Sequence, residues 1–96
     1  MNTEQLIPIS ELSLRLDVET SFILTLKEHG LIKTVTAEQN LFIDVLELPQ
    51  LEKMVRLHEE LEINIEGIQA ITHMLERIDV MQNEITELQN RLRIYE

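Results

Sequence analysis

Histidine, serine and carboxylate side chains are the groups of this 96-residue chain with chemistry to offer, and their spacing decides what they can do. His29, His58 and His73 stand far apart. None belongs to a His-Glu-x-x-His pattern or has a carboxylate at metal-ligand spacing. The sequence has no cysteine, which removes thiolate catalysis, disulfides and Cys-type zinc sites. Ser10, Ser13 and Ser21 fall at helix starts or on helix surfaces, not in a Gly-x-Ser-x-Gly elbow. Glu59-Glu60 and the other carboxylate pairs read as solvated helix faces, and two glycines leave no room for a phosphate-binding loop. The expectation is a non-enzyme with no cofactor and no metal.

What remains is surface chemistry. The formal charge is −10, the hydrophobic share 44% and the aromatic share 3%. That apolar share is enough for a packed core, while so few aromatics make a poor base-stacking platform. From Met1 to Leu46 the basic residues are Arg15, Lys27 and Lys33, against seven acidic ones, a balance of −4. An acidic surface repels nucleic-acid phosphates and favours basic partners. The chain starts Met-Asn-Thr-Glu-Gln, with neither the basic nor the apolar region of a secretory signal. Its apolar runs fall far short of the roughly 20 residues of a spanning helix. A soluble cytoplasmic protein without membrane contact is expected.

These residues need elements to position them. Leu6-Ile7-Pro8-Ile9 reads as a strand that Pro8 confines to an edge or turns into a helix lead-in. Ser10 reads as the N-cap of a short helix with Leu12 and Leu16 on one face. After a turn at Asp17-Val18, a second helix runs from Glu19 to His29, with Gly30 as its C′ residue. Val18, Phe22, Ile23, Leu26 and Leu31 supply its buried side. Two helices joined by a tight turn form a helix-turn-helix. Alternation over Leu31–Thr36, a polar stretch Ala37–Asn40 and a β-type run of Leu41, Phe42, Ile43 and Val45 predict a β-hairpin wing. The turn lacks Asn-Gly, so its type stays open. Leu48-Pro49 opens a third helix, ending near Glu62, with Pro49 at N1.

Asn64 is the expected N-cap of a last helix, with Glu66 in its first turn. Ile71, Met74, Ile78, Met81, Ile85, Leu88, Leu92 and Tyr95 then recur at alternating spacings of three and four. This is an a/d heptad seam. A helix over 65–95 is about 46 Å long at 1.5 Å per residue. The preceding residues are too few to cover such a seam, so a second copy of the chain is expected to pair with it. The alternative is an amphipathic helix folded back on its own domain, but the repeat holds at seven without drifting. Arg77, Glu84 and Arg91 hold g positions, and Leu75, Gln82 and Gln89 hold e positions. Antiparallel pairing sets g against g′, where Glu84 can meet Arg77 or Arg91, which favours an antiparallel homodimer.

The order of helix-turn-helix, wing, helix and coiled-coil helix resembles the MerR-type winged-helix superfamily. Within it the chain is similar to the chaperone-modulator, CbpM-like family. The residues that carry the resemblance are Ile9-Ser10-Glu11-Leu12 with Leu16-Asp17-Val18, then Glu28 to Ile32, then Val55 to Ile68 with its Arg-Leu-His…Leu…Ile…Gly-Ile pattern. The resemblance covers most of the chain. It implies a mainly α fold: a MerR-like winged helix-turn-helix with a small β-hairpin wing over 1–62, and a coiled-coil dimerisation helix over 63–96. It further implies that the partner is the J-domain of a DnaJ-like co-chaperone. Blocking its basic helix and His-Pro-Asp loop would inhibit its stimulation of Hsp70. MerR regulators themselves bind DNA as antiparallel dimers.

The residues choose between the two branches. A DNA reader needs Arg, Lys, Asn or Gln at base edges and cations at phosphates. Where MerR regulators carry an Arg-Tyr-Tyr run, this chain has Leu24, Thr25 and Leu26. The wing from Thr34 to Ile43 has no Arg or Lys. DNA is therefore not the expected partner. The expected contacts for a basic protein surface are Glu19, Ser21, Phe22, Thr25 and Glu28 on the second helix, with Phe22 or Leu24 as an apolar anchor if it faces outward. The alternatives are a MerR-type DNA-binding transcriptional regulator and a generic coiled-coil adaptor.

Overall fold

A computed structural model of the chain describes residues 5–95. The first four residues and Glu96, the outer ends of the two expected domains, lie outside the described residues. The elements run β1 (Leu6–Pro8), α1 (Ile9–Leu16), α2 (Thr20–Glu28), β2 (Val35–Ala37), β3 (Asn40–Asp44), α3 (Leu48–Leu61) and α4 (Ile65–Tyr95). The fold is mainly helical, with one antiparallel sheet of order β1-β3-β2.

Pro8 is both strand end and helix lead-in. It pairs with Phe42 across the sheet, and its extended backbone (φ −61, ψ 140) occupies the cap position of α1 without a side-chain hydrogen bond. The expected capping role of Ser10 is therefore not seen. The helix begins earlier, at Ile9, because strand pairing delivers the chain at Pro8 and Ile9 is drawn into the core. At the other end Asp17 adopts a left-handed φ of 53, which Asp tolerates better than most residues. The Val18 N–H then bonds to the Ser13 carbonyl at 3.1 Å, and the Ser13 hydroxyl donates to the Val18 carbonyl. Ser13 thus fixes the turn of the helix-turn-helix from both sides.

Helix α2 ends as the glycine suggests: Gly30 has φ +71 and the Leu31 N–H reaches back to the Leu26 carbonyl at 3.0 Å. The wing is shorter than the alternation implies. Leu31 and Ile32 lie outside β2, Ile32 being buried in the core. Val45 leaves the strand for a 3₁₀ turn, Val45–Glu47, whose Leu46 N–H is capped by the Asp44 carboxylate at 2.9 Å. Ala37 pairs with Asn40, leaving Glu38 and Gln39 as a two-residue loop with φ of 50 and 67. Two left-handed residues in succession are what a type I′ hairpin turn requires.

Pro49 stands in the first turn of α3, where its missing N–H costs nothing. Glu62, with φ 54, ends that helix. Asn64 then caps α4, its side-chain oxygen accepting from the Gly67 N–H at 2.8 Å. The core gathers Leu12, Ile23, Leu26, Ile43, Leu51, Met54 and Ile68, from every helix and β3. Ile63 and Ile65 pack against it, so the root of α4 belongs to the winged-helix core. Beyond its root α4 projects outward rather than folding back, and Ile68 is its one buried residue among the described ones. The molecule is accordingly elongated, 58 × 35 × 20 Å.

Candidate interaction surfaces

Two surfaces have the makings of interaction sites. The first is built on α2. Of the five expected contact residues, Glu19, Ser21 and Glu28 are exposed, while Phe22 and Thr25 are half-buried. Ser21 donates to the Glu19 carboxylate at 3.2 Å, and the Thr25 hydroxyl donates to the Ser21 carbonyl at 2.8 Å. Helical geometry places Ser21, Thr25 and Glu28 along one strip (i, i+4, i+7), with Glu19 at the cap below it.

Phe22 packs partly against the core, and its ring stacks on His58 of α3. The His58 Nδ1 donates to the Ile63 carbonyl at 3.0 Å. Phe22, His58, Asp17, Val18, Glu19 and Glu59 line an open cleft between the helix-turn-helix and α3. Sequence reading placed Phe22 in the candidate set but missed His58, Asp17 and Glu59. The only signal was the place of His58 among Leu51, Met54, Val55, Leu57 and Leu61, which recur at helical spacing. Leu24 is half-buried and lines a second cleft, with Leu41 and Phe42 of the wing.

The second surface is the heptad face of α4. In the single chain Ile71 is half-buried, whereas Met74, Ile78, Met81, Ile85, Leu88, Leu92 and Tyr95 are all exposed. Ile85, mid-seam, is 47% exposed. Fully burying such a side chain is worth about 1.5–3 kcal/mol, so the row is a large unpartnered apolar face. Arg91 pairs with Glu87 of the same helix at 2.8 Å, an exposed pair worth about 0.3–0.5 kcal/mol.

Among the described residues no group of three or more His, Cys, Asp or Glu is placed to hold a metal ion. No described helix is long and apolar enough to cross a membrane.

A helix-turn-helix with a type I′ wing, continued into one long helix, defines a winged helix-turn-helix protein of the MerR type. A family model described as MerR HTH family regulatory protein matches residues 7–90. The chain is 31% identical over 78 residues to the chaperone modulatory protein CbpM of Pseudomonas entomophila strain L48, a match covering 79% of this chain and 76% of that protein. CbpM of Pseudomonas putida strain KT2440 shares the same identity and coverage, and CbpM of Pseudomonas putida strain W619 is 29% identical over 78 residues. No solved structure matches. The chain belongs to the MerR-type helix-turn-helix family, in its CbpM-like chaperone-modulator branch.

Proposed function

We propose that this protein is a non-enzymatic chaperone modulator that binds the J-domain of a DnaJ-like co-chaperone and inhibits its stimulation of Hsp70. It acts as a homodimer paired through the α4 seam, in antiparallel orientation. The reading carries a cytoplasmic location with it.

The observation that carries the proposal is the acidic helix-turn-helix. Exposed Glu19 and Glu28 flank the α2 strip, where a DNA reader would present cations, and the wing has no Arg or Lys. Such a surface complements a basic protein helix and steers its approach. The relatives named as chaperone modulatory proteins support the same partner class. Glu19, Ser21 and Glu28 supply the exposed contacts, and Phe22 and Thr25 the half-buried floor beneath them. The second reading, a DNA-binding regulator, has the description of the family model in its favour. Against it stands the −4 balance over the first 46 residues, which leaves counterion release little to contribute.

An ATPase assay of Hsp70 with a full-length DnaJ-like co-chaperone tests the function. Adding this protein is expected to lower the co-chaperone-stimulated rate and leave the basal Hsp70 rate unchanged. A stimulated rate that stays constant at tens of micromolar would contradict inhibition.

A further inference from the structure

The cleft between the wing and the helix-turn-helix differs in chemistry from the α2 strip beside it. Its apolar walls are Leu24 of α2, Leu41 and Phe42 of β3, and Pro8 and Ile9 at the junction of β1 with α1. Ser10, Gln39 and Asn40 supply the polar part of the lining, so no charged side chain lines it. Leu24 and Leu41 rest on the core, which fixes the walls. Leu14 stands one turn beyond Ser10 on α1 and is 84% exposed. Apolar surface thus continues from the cleft past Ser10. Around this charge-free floor stand exposed Lys27, Glu28 and Glu38 and the Glu11–Arg15 pair, closed at 2.7 Å, an acidic balance.

We infer that this cleft receives one apolar side chain from the basic partner surface proposed to lie along α2, an inference that rests on that reading. A charged side chain entering the cleft would lose its hydration and meet no opposite charge, so the occupant is apolar. Leu24 is three residues from Ser21 and four from Glu28, which makes it their neighbour on the helix surface. A partner helix laid along the contact strip therefore passes the mouth of the cleft. The acidic surroundings suit cations on either side of the inserted residue. The occupant is accordingly an amphipathic basic helix with one Leu, Ile, Met or Phe among its Lys and Arg residues. Leu24, expected as an outward anchor, is instead part of the wall that takes one. The carboxylates of α2 then steer the approach, and the cleft sets how long the complex lasts, because a packed anchor acts chiefly on dissociation.

Stopped-flow binding of the full chain to the J-domain of a DnaJ-like co-chaperone tests the inference with two variants. Ser10→Trp fills the cleft from its polar side, and Leu14→Gln removes the apolar surface beyond it. Both side chains are exposed, and circular dichroism checks that the fold is retained. Each variant is expected to weaken the complex roughly tenfold through faster dissociation, while the association rate and its salt dependence stay as they were. Glu19→Lys with Glu28→Lys is the converse control, expected to slow association and flatten its salt dependence. Unchanged dissociation in either cleft variant, or a loss carried by association alone, overturns the cleft assignment while the partner stands. Unchanged dissociation together with a weakened dimer in sedimentation gives the cleft to a second copy of the chain, which overturns it equally. Absence of any complex with the unmodified chain overturns the partner reading, and the cleft assignment with it.

Discussion

The imidazole of His58 lies nearly flat on the ring of Phe22, with centroids 4.4 Å apart and planes inclined by 22°. The same imidazole holds the Ile63 carbonyl at 3.0 Å. One side chain of α3 thus ties the helix that carries the proposed partner surface to the link leading into the dimer helix. An aromatic pair of this kind is worth about 0.5–1.5 kcal/mol beyond its buried area. Phe22→Ala and His58→Ala should each destabilise the fold, and a double-mutant cycle in urea should show a coupling of about 0.5–1.5 kcal/mol. Additive losses would mean that the two rings do not interact.

Gly67 holds the first turn of α4 against the preceding link. A Cβ there would stand 2.6 Å from Ile63 Cγ2 and 3.1 Å from Asn64 Oδ1. Ile63 packs against the core and its branched Cβ is stiff, so it has little freedom to give way. Gly67→Ala should therefore destabilise by about 1–3 kcal/mol through overpacking, despite a helix-propensity gain of about 1 kcal/mol. Thermal unfolding checks the sign: a raised Tm would show that the link has room.

The seam of α4 gives the assembly prediction. At micromolar concentration the chain should sediment at twice its 11.3 kDa mass. Ile85→Asp should dissociate or unfold it, since a carboxylate at that position is desolvated on both chains. A variant that remains a stable dimer would place the interface away from α4.

For DNA the chaperone-modulator reading and the regulator reading predict opposite outcomes, and the first is expected to hold. A mobility-shift assay with the protein's own promoter region at physiological salt should show no sequence-specific complex. The −4 balance across Met1–Leu46 opposes phosphate contact. A nanomolar complex that survives competitor DNA would restore the transcription-factor assignment.

What the sequence made legible were the features with strong local signatures. Gly30, Pro49 and Asn64 mark helix ends by their own stereochemistry; the structure places Gly30 and Asn64 in the expected roles, and Pro49 in the first turn one position past the expected N1, which Leu48 takes. The helical run through the heptad residues is equally local, since periodicity needs no knowledge of the rest of the fold. The wing was less legible because its turn breaks the residue preference. Glu38 and Gln39 take left-handed φ values that Asn-Gly would adopt at less cost. Strand length was misjudged because Ile32 and Val45 fit an alternating pattern, whereas one enters the core and the other a 3₁₀ turn. Tertiary context decided both.

The candidate surfaces divide the same way. Glu19 and Glu28 were legible as exposed charges because their helix was legible. The stack of Phe22 on His58 joins residues more than 30 positions apart. No local pattern encodes such contacts. Phe22 was readable as an apolar residue on α2, but its half-buried place under His58 depends on how α3 crosses α2.

The measurement that tests the account most directly is calorimetry of the full chain with the isolated J-domain of a DnaJ-like co-chaperone. Binding is expected, with an on-rate in parallel stopped-flow work that falls as salt shortens the Debye length to about 10 Å at 0.1 M. Glu19→Lys with Glu28→Lys should weaken the complex and leave the sedimentation of the dimer unchanged, because both side chains are exposed. Unaltered affinity in that variant would move the contact from α2 to the wing or α3. Absence of heat and of complex at tens of micromolar would contradict the J-domain assignment.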